Sequence, residues 1–230
     1  MKIRLKFSKD GVMKYIGHLD VMRYFQKLIR RADIPIAYST GMSPHQIMSF
    51  AMPLGIGLES DAEYVDIEIT EPISSKVAIN RLNDESVEGI RVKSFKLLPD
   101  NARNAMASIF AAEYEVGFLE GYEPDFSCFD ILNEMYNEPC INVLKKTKKS
   151  ESVVDIKPGI FSFSDSGKGI RMCLSCGSVL NVKPESVITS IYEHMGQKAD
   201  ELTLAIRRKE IYTGSQNELI SLDMIGTDIE

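Results

Sequence analysis

Two histidines lie in a basic N-terminal segment and are the residues best suited to proton transfer. His18 follows Gly17 at the start of a predicted helix, and His45 ends a Ser43-Pro44-His45 loop. Metal-independent RNA cleavage needs such a setting, because one group must accept the proton of a 2′-hydroxyl while cations hold the phosphate. A second acid–base partner is not evident in the sequence, so binding and purely structural roles stay open beside catalysis.

Basic side chains repeat along the same predicted helix. Arg23, Lys27 and Arg30 are spaced four and three residues apart, which places them on one face with Arg31 beside them. Such a ridge can follow phosphates, although a solvated helix face has the same pattern. The loop that follows adds hydrogen-bond donors, a ring and a glycine. The predicted RNA-binding set is His18, Arg23, Lys27, Arg30, Arg31, Tyr38, Ser39, Ser43 and His45.

The position of His45 leads to a geometric prediction. Pro44 restricts Ser43 to extended backbone and stiffens the turn. His45 should therefore project from a long loop, where binding residues concentrate. We expect His18, Ser43 and His45 to share one shallow depression beside the basic ridge, with an outward-folded loop as the alternative.

The cysteines do not form a metal-binding pattern. Cys173 and Cys176 make a lone C-x-x-C, and their odd spacing would point them to opposite faces of a strand. Cys128 and Cys140 fall in other predicted elements, and the C-x-x-x-C-x-x-C spacing of a radical SAM cluster is absent. We expect no metal, no cofactor and a reducing compartment.

Composition favours a cytoplasmic globular protein. The chain has 230 residues, of which 44% are hydrophobic and 26% charged, and no apolar run approaches the ~20 residues needed to cross a bilayer. The net charge of −6 is uneven, because residues 1–58 carry nine bases against three acids. Solvation of a helix and an edge strand is the alternative explanation of that basic segment. The lysine-rich run Lys145-Lys146-Thr147-Lys148-Lys149 is predicted as a solvated hairpin tip or a second phosphate-binding patch.

The order of apolar patterns predicts an α+β fold made of two tandem ferredoxin-like (βαββαβ) units with antiparallel sheets. The first unit spans 1–99 and has a long insertion at 40–62. Its predicted elements are strands 2–8, 34–39, 64–69 and 90–98 and helices 19–32 and 72–82. The second unit spans 111–214, and 215–230 forms a C-terminal tail. Its predicted elements are strands 114–119, 141–145, 153–163, 170–176 and 202–212 and helices 126–136 and 184–195.

Several strings in the first unit resemble the radical-SAM-linked family of uncharacterised bacterial proteins. They are Tyr15-Ile16-Gly17-His18-Leu19-Asp20, Arg30-Arg31-Ala32, Ile34-Pro35-Ile36-Ala37-Tyr38-Ser39-x-Gly41-x-Ser43-Pro44-His45, Ser49-Phe50-Ala51-x-Pro53-Leu54-x-x-Gly57 and Glu63-Tyr64-x-Asp66. Val154-Asp155-Ile156-Lys157-Pro158 extends the resemblance weakly into the second unit. Gln46 departs from the family pattern, which tends to continue with another proline.

This resemblance implies an accessory protein of a radical SAM enzyme, in a setting of ribosome and RNA metabolism, with no assigned activity. A more distant likeness, at the level of fold alone, is to the CRISPR repeat-RNA endoribonucleases. We therefore expect a non-catalytic module that presents RNA to a radical SAM protein through the first helix and the 39–46 loop. The alternatives are a protein adaptor without RNA contact and a metal-independent endoribonuclease that uses His18 or His45. No membrane partner is expected.

Overall fold

The computed structural model describes residues 1–146, 151–177 and 180–230. The chain is mixed α+β, with mostly antiparallel strands, and divides into two compact units. The first contains Met1–Ile109 and Glu210–Glu230, and the second contains Phe110–Lys209. Within the described residues, no helix combines the length and the apolar character that a membrane span requires.

The first unit begins with alternating strands and helices. Its elements up to residue 109 are β1 Lys2–Lys9, α1 His18–Arg31, β2 Met48–Phe50, β3 Glu59–Glu68, α2 Ser75–Asp84, β4 Ile90–Leu97 and the short α3 Ala105–Ser108. Strand β1 lies between β3 and β4 and is antiparallel to both. Strand β2 pairs with β3, also antiparallel.

The core of this unit follows from two periodicities. Alternate residues of β1, Ile3, Leu5 and Phe7, are fully buried. Helix α1 buries a stripe at three- and four-residue spacing that includes Phe25 and Leu28. Sheet and helix thereby share one apolar cluster.

Sequence-based predictions in the first unit and at the C-terminus differ from the structure. Residues 34–39 do not form a continuous strand, since only Ile36 and Tyr38 make isolated bridges. The helix predicted from residue 72 begins at Ser75, after the extended Ser74. Residues 215–230, expected as a tail, contain β11 and β12, which follow the second unit's elements given below.

The second unit is also built of antiparallel strands and helices. Its elements are β5 Ala111–Phe118, α4 Cys128–Met135, β6 Asn142–Lys146, β7 Glu151–Asp155, β8 Ile160–Asp165, β9 Gly169–Ser175, α5 Pro184–His194 and the first half of β10 Leu204–Ser215. The strand order is β10-β5-β9-β8, and β6 and β7 form a separate two-stranded sheet. The strand predicted over 153–163 is interrupted by a 3₁₀ turn at Lys157–Gly159.

The last residues return to the first unit. Strand β11 Glu218–Ser221 pairs with the end of β10, and β12 Thr227–Asp228 pairs with β4. The order in the first unit is therefore β12-β4-β1-β3-β10. The last three residues of the lysine-rich run, Thr147-Lys148-Lys149, lie outside the described residues, so the prediction for this run stays open.

Candidate functional site

Helix α1 positions the cationic side chains of the predicted site. It begins at His18 after the N-cap Gly17 and buries one stripe in the apolar core. Arg23, Lys27 and Arg30 are exposed on the other side. In the described part of the chain, neither Lys27 nor Arg30 pairs with an acid, whereas Arg23 lies 3.4 Å from the exposed Asp20 carboxylate. The helix therefore presents Lys27 and Arg30 as cations that a ligand can use.

Residues 37–47 form a hairpin-like turn, hereafter the 37–47 hairpin. Tyr38 and Gln46 form an antiparallel bridge. Ser39 N donates to the His45 carbonyl at 2.8 Å, and Ile47 N donates to the Ala37 carbonyl at 2.9 Å. The predicted loop is thus an ordered, backbone-paired element.

His45 is fixed inside this hairpin by Ser39. Their Oγ and Nδ1 atoms are 2.8 Å apart, and His45 N donates to Ser39 Oγ at 3.1 Å. Gly41, in the turn, has φ of 118°, a left-handed conformation that glycine adopts without steric cost. Ser43 is exposed in the same turn. Ser39 therefore orients the imidazole, and the turn leaves the ring accessible.

One hydrogen bond fastens the hairpin to the basic helix. Gln46 Nε2 donates to the Gln26 carbonyl of α1 at 3.2 Å. Arg30 Nε donates to the same carbonyl at 3.3 Å. The hairpin and Arg30 therefore meet at one helical turn.

His18 has a different neighbour. Its ring lies edge-on to Phe50, with centroids 5.3 Å apart, and Phe50 packs against Phe25 in the core. Eight residues separate His18 from Gln26, which is ~12 Å along a helix axis. The single depression expected for His18, Ser43 and His45 stays a prediction.

Ion pairs reduce the basic excess of residues 1–58. Four of its cations pair with acids that lie beyond residue 58: Arg4 with Asp66, Lys6 with Glu210, Lys14 with Glu59 and Arg31 with Glu85. Strand β1 is central, so the cations of β1 do not solvate an edge strand. On α1, Lys27 and Arg30 stay without an acidic partner in the described part of the chain.

Sequence reasoning missed a buried polar network on the face of the sheet opposite α1. Arg4 is 2% exposed and holds Asp66 through two nitrogens, at 2.8 and 2.9 Å. Nearby, Tyr64 OH donates to Glu210, which also accepts from Lys6 at 2.7 Å. Burial, with the Glu210 charge, raises the pKa of Tyr64. Tyr64 and Asp66 belong to the Glu63-Tyr64-x-Asp66 string, and this string was the sequence signal that could have pointed to the network.

The cysteines are free thiols. Cys173 lies in β9 and Cys176 follows the end of that strand. Burial raises the pKa of Cys173 to about 12, with smaller contributions from Glu113 and Cys176, and burial raises the pKa of Cys128 to about 11. Protonated thiols are poor metal ligands and nucleophiles.

The second unit contains a cavity of about 800 Å³. Phe118, Phe126, Cys128, Asp165 and Lys168 are among its lining residues. None of the residues predicted to bind RNA lines it. The cavity and the basic helix are therefore separate features of the chain.

Comparison with known proteins places most of the chain in one family. A family model described as "Uncharacterized protein conserved in bacteria (DUF2344)" matches residues 2–184. No curated protein matches the chain significantly. The solved structure "X-ray crystal structure of a heavy metal efflux pump, crystal form II" aligns with 94% of this chain and 28% of that chain, at 8% identity and a TM-score of 0.27. A similarity that low carries no functional argument.

Proposed function

The chain belongs to this family of uncharacterised proteins conserved in bacteria, and we propose that it is a non-catalytic RNA-binding module that works with a radical SAM enzyme. The observation that carries the proposal is the contact between Gln46 and Gln26, which sets the 37–47 hairpin beside Arg30. Cations, an exposed ring and polar side chains are thereby available on neighbouring elements. This combination suits a phosphate backbone with accessible bases.

The radical SAM partner is proposed from the sequence resemblance, which links such proteins to that enzyme class. Catalysis would then belong to the partner, and this chain would hold the substrate. We place the module in the cytoplasm, in keeping with its four free cysteines.

We also propose that both units are ferredoxin-like. In the first unit, β4-β1-β3-β2 is the strand order of a βαββαβ unit. In the second, β10-β5-β9-β8 has the same order once the β6–β7 hairpin is treated as an insertion. A solved structure of the chain tests this assignment.

RNA binding is tested with a charge-neutralising double variant. We expect the full chain to bind a fluorescein-labelled, mixed-sequence RNA in an anisotropy assay, and Lys27→Gln/Arg30→Gln to bind at least tenfold more weakly. Lys183→Gln/Lys198→Gln is the matched control, because it removes the same charge from exposed positions in the second unit. Equal affinities of all three proteins, or no binding by the wild type, would contradict the proposal.

A second candidate function is a protein adaptor for the same radical SAM enzyme. Val12, Tyr15, Leu19 and Ile56 are between 61% and 75% exposed. Gly57 N donates to the Lys14 carbonyl at 2.8 Å, which brings the loop of Ile56 to the turn that contains Tyr15. Exposed apolar side chains at one place on a surface are typical of a protein contact.

Copurification with the radical SAM protein after nuclease treatment distinguishes the two functions. The adaptor predicts that Tyr15→Ser/Leu19→Ser loses the partner, while Val77→Ser/Met106→Ser, at other exposed positions, retains it. Retention by both variants together with RNA binding would favour the RNA-binding module.

The third possibility, a metal-independent endoribonuclease, is less well supported. His18 packs against an aromatic ring, and His45 is hydrogen-bonded to a serine hydroxyl. Incubation of the purified protein with small RNAs in a chelator tests this possibility, and we expect no cleavage.

A further inference from the structure

The 37–47 hairpin presents an aromatic ring beside the basic helix. Tyr38 is 49% exposed. It lies directly opposite Gln46 in an antiparallel bridge, and residues so paired project their side chains on the same face. Because the Gln46 side chain reaches the Gln26 carbonyl of α1, the Tyr38 ring is on the face of the hairpin that adjoins that helix.

The same contacts set the ring near positive charge. Arg30 donates to the carbonyl that Gln46 uses, and Lys27 lies three residues before Arg30 on the same face of the helix. The hairpin that carries the ring is therefore joined to Arg30 by one hydrogen-bonded junction and is not a free loop. A chain of phosphates that follows α1 would bring its bases to the hairpin.

Gln46 contributes a second feature of this junction. The residue is 6% exposed, and its side-chain Oε1 is buried with no hydrogen-bond donor among the described residues. A buried acceptor without a donor costs free energy, so the hydrogen bond from Nε2 to the Gln26 carbonyl is the side-chain contact that holds this junction together.

We infer that the ligand class is single-stranded RNA with an unpaired base stacked on Tyr38, an inference that rests on the proposed function. Aromatic side chains next to a cationic track bind single strands through base stacking. In an A-form duplex the bases are stacked on one another and are not free to stack on a side chain. The site therefore discriminates by the accessibility of bases and tolerates different sequences.

The test uses three labelled probes and the full chain. The probes are a 12-nucleotide RNA without self-complementarity, the same strand annealed to its complement, and a 12-unit abasic strand. We expect at least tenfold tighter binding of the single strand than of the duplex. Tyr38→Leu should weaken binding of the single strand roughly 5- to 150-fold, the loss typical of one stacked base, and should leave the abasic probe unchanged.

Two controls make the result specific to the ring. Tyr38→Phe retains an aromatic face and should bind within about threefold of the wild type. Lys27→Gln should weaken the binding of all three probes, because every probe carries phosphates.

The outcomes separate this inference from the proposed function. If RNA binding depends on Lys27 but Tyr38→Leu binds the single strand as the wild type does, the stacking inference is wrong and the RNA-binding proposal survives. Equal affinity for strand and duplex also overturns the inference. If the wild type binds none of the probes, both proposals fail.

Discussion

Arg4 shows how a charged residue can be structural in this chain. It sits in the central strand β1, where its guanidinium contacts both Asp66 oxygens and the carbonyls of Arg103 and Leu222. Asp66 also accepts from Ala105 N at 2.8 Å. The pair thus joins β1 and β3 to residues 103–105 and to the C-terminal segment. Both charged groups are desolvated, so each depends on the opposite charge of its partner to offset the free-energy cost of burial.

Removal of one partner should therefore be costly. We expect Asp66→Ala to lower the free energy of unfolding by about 3–5 kcal/mol, because Arg4 is left buried without its carboxylate. Urea denaturation measures this loss. Asp20→Ala is the matched control, since it removes an acid from the exposed Arg23 pair and should cost no more than ~1 kcal/mol. A loss below ~1 kcal/mol for Asp66→Ala would contradict the structural role.

The buried thiols predict a loss of stability at alkaline pH. The pKa of Cys128 is raised from its ordinary value of 9.0 to about 11, and that of Cys173 to about 12. The folded state holds these protons more tightly than the unfolded state, so the contribution is fully present below pH 9 and is lost as the pH rises towards these values. We expect the free energy of unfolding to fall between pH 9 and 11.

The matched variants isolate the thiols from other groups that titrate in this range. Cys128→Ala/Cys173→Ala should show a shallower decline of unfolding free energy with pH than Cys140→Ala, whose thiol is half-buried. If the unfolding free energy declines with pH equally steeply in both variants, Cys128 and Cys173 do not contribute to the alkaline loss of stability.

At the scale of elements, the 37–47 hairpin is attached to α1 by the side chain of Gln46. The local sequence pattern does not distinguish this residue from its neighbours. Helix α1 was predictable, since its apolar residues recur at helical spacing over the whole length. The hairpin was predicted as a loop with binding residues. The attachment of the hairpin to α1 was not predicted, because the Gln46–Gln26 contact joins positions 20 residues apart.

An isosteric substitution tests this attachment. Gln46→Glu replaces the donor to Gln26 O by an acceptor in a buried place, so it should destabilise the hairpin by at least ~1 kcal/mol. We expect a roughly fivefold or greater increase in amide exchange at Ser39 and Ile47, whose N–H groups close the hairpin. Acidification should partly reverse the effect, since a protonated Glu regains a donor. Unchanged exchange would show that the hairpin is held by other contacts.

At the scale of the whole chain, alternation and helical spacing predicted the mixed α+β class and most of the longer elements. They did not predict β12, which has two residues and is too short to show a period. The surroundings of the β1 charges were not predictable from alternation either. Solvation of an edge strand was one of two explanations left open, whereas long-range partners such as Asp66 and Glu210 cover the charged face of β1.

The distribution of charge follows from the same long-range pairs. The sequence places an excess of bases in residues 1–58, and folding pairs several of them with acids from β3, from the C-cap of α2 and from β10. On α1, Lys27 and Arg30 are exposed and have no acidic partner among the described residues. The RNA-binding proposal therefore depends on a small number of phosphate contacts, and its salt dependence should be correspondingly modest.

The salt dependence of RNA binding is the most direct measurement of this account. For the wild type, the logarithm of the association constant should fall linearly with the logarithm of KCl concentration, as counterions are released. Lys27→Gln/Arg30→Gln should reduce that slope by between one and two, about 0.7 per lost contact with a single strand. Lys183→Gln/Lys198→Gln should keep the wild-type slope. A slope that is the same in all three proteins would contradict RNA binding through α1.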